Sequence, residues 1–401
     1  MISDKKILLG VTGSIAAYKV IDWLRKLREE DAEVTVVMTA AAKQFITPLT
    51  FAALSGNQVH DDMFDTCGAE KIPHINLARN SDLVLIAPAT AQTISRLANG
   101  LADDLLSAIT LATDAGVMIC PAMNCKMYMH QATQENITKL RGYGYHVIEP
   151  ECGRMACGEE GAGRLPDWET IHEAIHTFFS PQDMTGEHVL VTAGPTIEPL
   201  DPVRFLSNRS SGKMGYALAR TARRRGAQVT LVSGPVTLPA PAGIELIQVK
   251  TTAEMHEAVL KSSKKASIII KAAAVTDFRP ETISDQKIKK TDEGLELVLE
   301  KSPDILGELG KLKKRRKNFP FLAGFAAESR NLKKEGWRKL QEKNLDLIVI
   351  NDITEIDAGF EVDTNRITML DKDGVEEKLP LMSKEKAADM IWNRILQILQ
   401  T

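Results

Sequence analysis

One local pattern occurs twice in this chain, at its start and again just before its middle. Residues 6–11 (KILLGV) read as an apolar strand, Thr12-Gly13-Ser14 as a turn, 15–28 as a helix and 33–38 (EVTVVM) as a returning strand. The pattern restarts after Glu187. Residues 189–191 form a strand ending at Ala193-Gly194, and a long polar loop leads to Ser210-Ser211-Gly212-Lys213-Met214-Gly215. A helix then covers 216–225 and a strand 228–232. Such a unit opens a nucleotide-binding α/β fold, because backbone N–H groups at a glycine turn and helix start suit phosphate. The expected architecture is therefore α/β, with two successive Rossmann-like domains and mostly parallel sheets. The joint lies in 178–187, which is polar and carries Pro181 and Gly186. It divides the chain into domains 1–186 and 187–401, a division that 401 residues can fill.

In the first half, further apolar runs at 83–87, 117–120 and 146–148 alternate with helical patterns. Uninterrupted apolar strands between helices indicate a parallel sheet covered on both faces. Ligands then sit at the carboxyl ends of the strands. The residues just past those ends are Gly13-Ser14, Thr39, Pro88-Ala89-Thr90 and Pro121-Ala122-Met123-Asn124. These small, polar or proline residues suit a flat ligand bearing a phosphate. His74 follows Lys71-Ile72-Pro73 on an extended approach to a helix, and a lone histidine is more often structural than catalytic. Stretch 152–164 holds Cys152, Cys157 and four glycines and reads as a flap over a substrate. The pairs Cys120/Cys125 and Cys152/Cys157 each enclose four residues, whereas zinc sites favour two. No metal ligand is assigned.

In the second half, strands are expected at 245–249, 267–271, 321–325 and 345–350, and helices at 253–264, 303–313, 333–343 and 384–399. Hairpins are expected within 288–299 and near 360–370, with Asp373-Gly374 as a turn signal. Several motifs stand together here. They are Ser207-Asn208-Arg209, the small-residue strand end Ala272 to Asp277, Lys287 in a basic run, and Ser302 before Pro303-Asp304-Ile305-Leu306. Phe325 lies at another strand end, and Lys339 and Lys343 share a helix face. Helix lysines are mostly solvated. Together, however, these motifs supply backbone amides, cations for a triphosphate, an acid for a metal or ribose, and an aromatic for a base, as nucleotidyl transfer requires. No Walker A loop is present.

Composition narrows the function. A net charge of −3 gives no reason to expect nucleic acid or an anionic membrane. The run KLKKRRK at 311–317 reads as a solvated loop. No stretch approaches the roughly 18 apolar residues of a membrane span. The apolar start breaks at Thr12-Gly13-Ser14, unlike a signal peptide. Five cysteines, an odd count, fit reduced thiols in the cytoplasm. A nicotinamide oxidoreductase is disfavoured because neither half has G-x-G-x-x-G after its first strand.

Three groups of motifs carry a resemblance over 1–179: Gly13-Ser14-Ile15-Ala16-Ala17-Tyr18-Lys19 with the Pro88-Ala89-Thr90 turn, Pro121-Ala122-Met123-Asn124 with Met127-Tyr128, and Ala156-Cys157-Gly158. They resemble the flavin-dependent cysteine decarboxylases, the phosphopantothenoylcysteine decarboxylases above all. That likeness implies FMN held by Gly13, Ser14, Ile15, Thr39, Ser107 and Thr110. It also implies His74 as catalytic base, supplied by a neighbouring subunit of a trimer, Asn124 as substrate clamp and Cys157 as proton donor. From 187 to the end, the motifs resemble the CTP-using phosphopantothenate–cysteine ligases of bacteria. This implies CTP contacts at Ala273, Ala274, Val275, Asp277, Lys287, Pro303, Asp304, Ile305, Leu306, Phe325, Lys339 and Lys343. It implies Asn208 acting on an acyl-cytidylate, Lys287 supporting its formation, and Mg²⁺ with the triphosphate. The whole chain resembles the bifunctional coenzyme A biosynthesis proteins of bacteria, with 4′-phosphopantothenate, L-cysteine and CTP as substrates. The likeness further implies a homo-oligomer of decarboxylase trimers joined by ligase dimers, a dodecamer. A flavin- and nucleotide-binding regulatory subunit without turnover is disfavoured, because His74, Asn124, Cys157, Asn208 and Lys287 are all present.

Overall fold

The repeated pattern folds into the same sheet twice. A computed structural model describes residues 2–64, 72–156, 158–289, 296–328, 332–352 and 362–400. The chain divides into two compact units, Met1–Phe179 and Ser180–Thr401.

The first unit runs β1 (Lys6–Val11), α1 (Ala17–Glu29), β2 (Glu33–Met38), α2 (Pro48–Ser55), β3 (Val59–His60), α3 (Pro73–Arg79), β4 (Leu83–Ala89), α4 (Ala91–Ala98) and α5 (Leu105–Ala112). It continues with β5 (Gly116–Pro121), α6 (Cys125–Met129), α7 (Gln131–Gly142), β6 (His146–Val147), β7 (Glu151–Arg154), β8 (Glu160–Arg164) and α8 (Trp168–Phe179). Strands β3-β2-β1-β4-β5-β6 pair in that order, all parallel. Strand alternation sends successive side chains to opposite faces. Ile7, Leu9 and Val11 therefore pack with Trp23, Leu24 and Leu27 of α1, while Leu8, Val84 and Ile86 pack with Ile94, Leu106 and Ile137. Burial on both faces is why these strands carry no polar alternation.

The second unit runs β9 (His188–Ala193), β10 (Ile197–Pro199), β11 (Phe205–Ser207), α9 (Lys213–Arg224), β12 (Gln228–Ser233), β13 (Glu245–Gln248), α10 (Thr252–Ser262), β14 (Ile268–Lys271), β15 (Phe278–Pro280), β16 (Leu299–Lys301) and α11 (Ile305–Arg315). It ends with β17 (Phe321–Glu328), α12 (Leu332–Glu342), β18 (Leu347–Asp352), β19 (Thr364–Asn365), β20 (Ile367–Asp371), β21 (Glu376–Lys378), β22 (Met382–Ser383) and α13 (Lys384–Gln400). The sheet order is β13-β12-β9-β14-β17-β18-β20-β21. Its first six strands are parallel and repeat the winding of the first unit. β20 and β21 then add an antiparallel ribbon. Trp392 of α13 anchors one face; its Nε1 donates to the Leu218 carbonyl and to Thr221 Oγ1 at 3.1 and 3.0 Å.

Several expectations need correction. His74 lies in the first turn of α3, with Pro73 at its start, and not on an extended approach. β3 was not expected, because a two-residue edge strand leaves no periodic signal. The hairpin expected within 288–299 is replaced by β15 and β16, which pair across that stretch and share only Leu299 with it; 290–295 lie outside the described residues. The hairpin expected near 360–370 is β20–β21, whose turn carries Gly374 at φ +93°. Of the basic run, Lys311 to Arg315 are helical, and Lys313 pairs with Asp346 at 2.5 Å. No helix among the described residues is long and apolar enough to cross a membrane.

Candidate active sites

Both sheets end in a cavity beside a helix that starts without a side-chain cap. The N-cap of α1 is Ala16 and that of α9 is Gly212, and neither supplies a capping oxygen. Helices α2 and α3 also lack a side-chain cap, but each has Pro in its first turn, whereas α4, α5, α6, α10 and α11 start on Thr90, Asp104, Asn124, Thr251 and Asp304, whose side chains accept a first-turn N–H. An uncapped helix start offers N–H groups and positive potential to an anion.

The first cavity, about 670 Å³, is lined by Ser14, Ile15, Tyr18 and Lys19 of the α1 region, Ala122 to Asn124, and Arg154, Met155, Ala156 and Gly163 to Leu165. Thr12 fastens the strand ends beneath it, donating to the Pro88 carbonyl at 2.6 Å and accepting from Thr90 N at 3.1 Å. Gly13 lies so close to Ala41 that an added Cβ would meet the Ala41 Cβ at 2.5 Å. The expected flap is an antiparallel hairpin, β7–β8, hung on the Asn124 loop by Met123 N donating to the Gly163 carbonyl at 2.9 Å.

Asn124 caps α6, accepting from Lys126 N at 2.8 Å and donating through Nδ2 to Glu159 Oε2 at 2.5 Å. Lys126 pairs with the other Glu159 oxygen at 2.8 Å. Lys126 first, and then Asn124, hold the Glu159 carboxyl at about 2. Three cations, Lys19, Arg154 and Arg164, therefore face a cavity that also opens on an uncapped helix, an arrangement that fits a phosphate-bearing flavin. The arginines come from the hairpin, where alternation within a glycine-rich stretch was the only sequence signal.

Of the expected flavin residues, Ser14 and Ile15 line this cavity. Gly13 is not on its described lining. Thr39 caps the turn after β2, accepting from Ala42 N at 3.3 Å. Ser107 and Thr110 are buried within α5. Ser107 forms a capping box with Asp104, and Thr110 Oγ1 donates to the Leu106 carbonyl at 2.8 Å. His74 is absent from the described lining, and its Nδ1 is buried with no partner. Cys157 lies outside the described residues. Cys120 is buried, which pushes its thiol well above the usual range. Among the described residues, no metal-binding cluster includes a cysteine.

The second cavity, about 750 Å³, is lined by the 208–215 loop, the 271–278 strand end, the 301–306 helix start, Phe325, Lys339 and Lys343, with Asn351, Asn365 and Lys384 on another side. Every residue expected to contact nucleotide lies on this lining except Lys287, which is exposed and not part of it. The 273–277 segment is bolted to β9 and the turn that follows it. Ala274 N donates to the Gly194 carbonyl at 3.0 Å, Ala273 N to Thr192 Oγ1 at 3.1 Å, and Thr276 N to Thr196 Oγ1 at 3.1 Å. Asn208 donates through Nδ2 to the Val275 carbonyl at 2.8 Å.

Ser302 Oγ, Asn351 Oδ1 and Asn365 Oδ1 are buried here without partners, and buried polar atoms are rarely left so unless a ligand completes them. Lys271, at the tip of β14, was not anticipated. Burial pushes its amine down to about 8, and Asp304 and Asp277 only partly oppose that. Burial raises Asp304, but its hydrogen bonds with Lys343 and Gly307 N outweigh this and hold it below the usual carboxylate range.

The fold and sites define a two-site α/β protein in which each unit presents phosphate-type recognition at the end of a doubly wound sheet. The Flavoprotein family model matches residues 1–180, and that of the DNA/pantothenate metabolism flavoprotein C-terminal domain matches 184–399. The Coenzyme A biosynthesis bifunctional protein CoaBC of Vibrio cholerae is 47% identical over 396 residues, spanning 98% of each chain. The protein of the same name from Bacillus subtilis is 47% identical over 388 residues, spanning 96% of this chain and 95% of its own. A crystal structure of the C-terminal domain of a CoaBC is 39% identical and covers 55% of this chain and 98% of its own, at a TM-score of 0.47. The chain belongs to the family of bifunctional coenzyme A biosynthesis proteins, CoaBC.

Proposed function

We propose that the second unit joins L-cysteine to 4′-phosphopantothenate at the expense of CTP, and that the first unit decarboxylates the product to 4′-phosphopantetheine with FMN. The observation that carries this reading is the pair of sheet-end cavities, each beside an uncapped helix and rich in cations, within a chain of this family.

In the second cavity, Lys271, Lys339 and Lys343 neutralise the triphosphate, and Phe325 offers an apolar face to the base. A carboxylate oxygen of phosphopantothenate attacks the α-phosphorus and pyrophosphate leaves; Lys287 supports this step. The amine of cysteine then attacks the acyl carbon, CMP leaves, and the nitrogen loses a proton. Asn208, held on the Val275 carbonyl, orients the acyl-cytidylate for that attack. Mg²⁺ enters with the triphosphate.

In the first cavity, Ser14 and Ile15 at the head of α1 hold FMN, with Lys19, Arg154 and Arg164 available to its phosphate. Bound FMN supplies the electron sink that lets the cysteinyl carboxylate leave as CO₂, and it returns those electrons afterwards. Asn124 orients the substrate carboxylate, His74 takes the proton and Cys157 returns one to carbon. The orphaned Nδ1 of His74 and its position off the lining support a site completed by a neighbouring subunit of an oligomer.

The test is incubation of the purified chain with 4′-phosphopantothenate, cysteine, Mg²⁺ and either CTP or ATP, followed by mass spectrometry. The masses of phosphopantothenoylcysteine and phosphopantetheine should appear with CTP. A yellow protein that forms neither mass and releases no CO₂ from added phosphopantothenoylcysteine would instead be a regulatory subunit.

A further inference from the structure

Away from the first cavity, the last residues of α1 meet α8 through three side chains that could share one ion. Glu30 Oε1 lies 2.7 Å from His172 Nε2, and Glu30 Oε2 lies 3.0 Å from His176 Nε2. All three donor groups fall within 4.8 Å of one another, the one such convergence of His, Cys, Asp and Glu among the described residues. We infer that Glu30, His172 and His176 form a binding site for a borderline divalent cation of the Zn²⁺ type, tying the end of α1 to α8.

The geometry follows from sequence spacing. Residues four apart on a helix share a face, so both imidazoles of α8 point at the carboxylate that closes α1. An ion about 2 Å from each donor requires donor separations of about 3.3 Å, so each imidazole need retreat only a few tenths of an ångström from its carboxylate oxygen. His176 is buried, whereas the Glu30 and His172 side chains are 35% and 26% exposed, so the fourth position opens to water. The His172 ring packs on Trp168, with centroids 5.4 Å apart, and Trp168 packs on Trp23 at 6.3 Å, which fixes the imidazole in place. Lys26 lies over the Trp168 ring and is paired with Asp22 at 2.9 Å. Two imidazole nitrogens and one carboxylate suit Zn²⁺, Co²⁺, Ni²⁺ or Cu²⁺, whereas Mg²⁺ demands oxygen ligands.

The site can be read in the full-length protein stripped with EDTA and titrated with CoCl₂. One Co²⁺ per chain should bind with a visible ligand-field band, without the near-ultraviolet thiolate-to-cobalt band that cysteine ligation would give. Tryptophan fluorescence should fall in step, because Trp168 touches His172. MgCl₂ should do neither. His172→Gln and Glu30→Gln should each weaken binding at least about tenfold and abolish the quenching. His172→Gln alters a partly exposed residue, so a normal melting curve will show that it folds. Absence of one-to-one binding, a thiolate band, or binding unchanged in both variants would overturn the inference.

Discussion

Asp201 and Arg204 jointly grip the backbone of Ile288 from both sides, through its N–H and its carbonyl. The Arg204 guanidinium donates to Asp201 Oδ2 at 2.9 and 2.6 Å and to the Ile288 carbonyl at 2.8 Å, while Ile288 N donates to Asp201 Oδ2 at 3.1 Å. Burial raises Asp201, but Arg204 and three backbone N–H groups more than compensate and hold it far below the usual carboxylate range. This grip fixes the residue next to Lys287. Asp201→Asn or Arg204→Gln should slow acyl-cytidylate formation by about 10- to 100-fold, the size expected for a misplaced reacting group. Pyrophosphate release measures it, and decarboxylation of added phosphopantothenoylcysteine should be unchanged.

Asn208 presents its amide N–H to the Val275 and Ala274 carbonyls at 2.8 and 3.4 Å. Asn208→Asp would set a carboxylate against two carbonyl oxygens, so the side chain must leave. The acyl-cytidylate should accumulate, detectable by mass spectrometry, while decarboxylation continues. Loss of both activities would show that the units do not work independently.

Lys271 gives the ligase a pH signature. Its folded pKa, about 8, lies below the unfolded value of about 10.4, so its charge is lost as pH rises through 8. Between those values the unfolded chain binds more protons, and the stability cost of Lys271 fades as pH rises. The KM for CTP should climb above pH 8. Lys271→Met should raise that KM about tenfold at pH 7, flatten its rise near pH 8 and increase the melting temperature.

Glu159 occupies the Asn124 amide that a substrate carboxylate would need. Glu159→Gln should lower the KM of the decarboxylase by about 3- to 10-fold with little change in kcat, as expected when a charged competitor is removed. Steady-state CO₂ release gives both constants.

Gly163 sits at φ +150°, and an added Cβ would lie 2.3 Å from the Met123 carbonyl oxygen. Gly163→Ala should therefore push the hairpin off the Asn124 loop. Decarboxylation should fall by at least about tenfold, with reduced flavin absorbance in the purified protein and normal ligase turnover.

Much of this was legible because long apolar strands and glycine turns leave strong signals. The restart at Glu187 foretold a second winding, and the small residues after β1 and β5 foretold the first cavity, whereas Thr39 and Pro88-Ala89-Thr90 stay off its lining. The rest depended on tertiary context. His74 reads as extended because Pro73 precedes it, yet proline is equally at home at a helix start. Arg154, Arg164 and Lys271 line the cavities because of strand pairing and sheet order, neither of which a single run of residues encodes. Ser107 and Thr110 carry hydroxyls at the expected positions, but their own helix uses them.

The ribbon added beyond β18 has a bearing on self-association. An unpaired parallel border would invite another chain to extend the sheet. Here β20 takes that place, and the final strand, Glu376–Lys378, is three residues long and wholly charged. Contact between copies of this unit is thereby steered away from backbone zippering at the β18 side and toward side-chain surfaces, where individual substitutions can disrupt it.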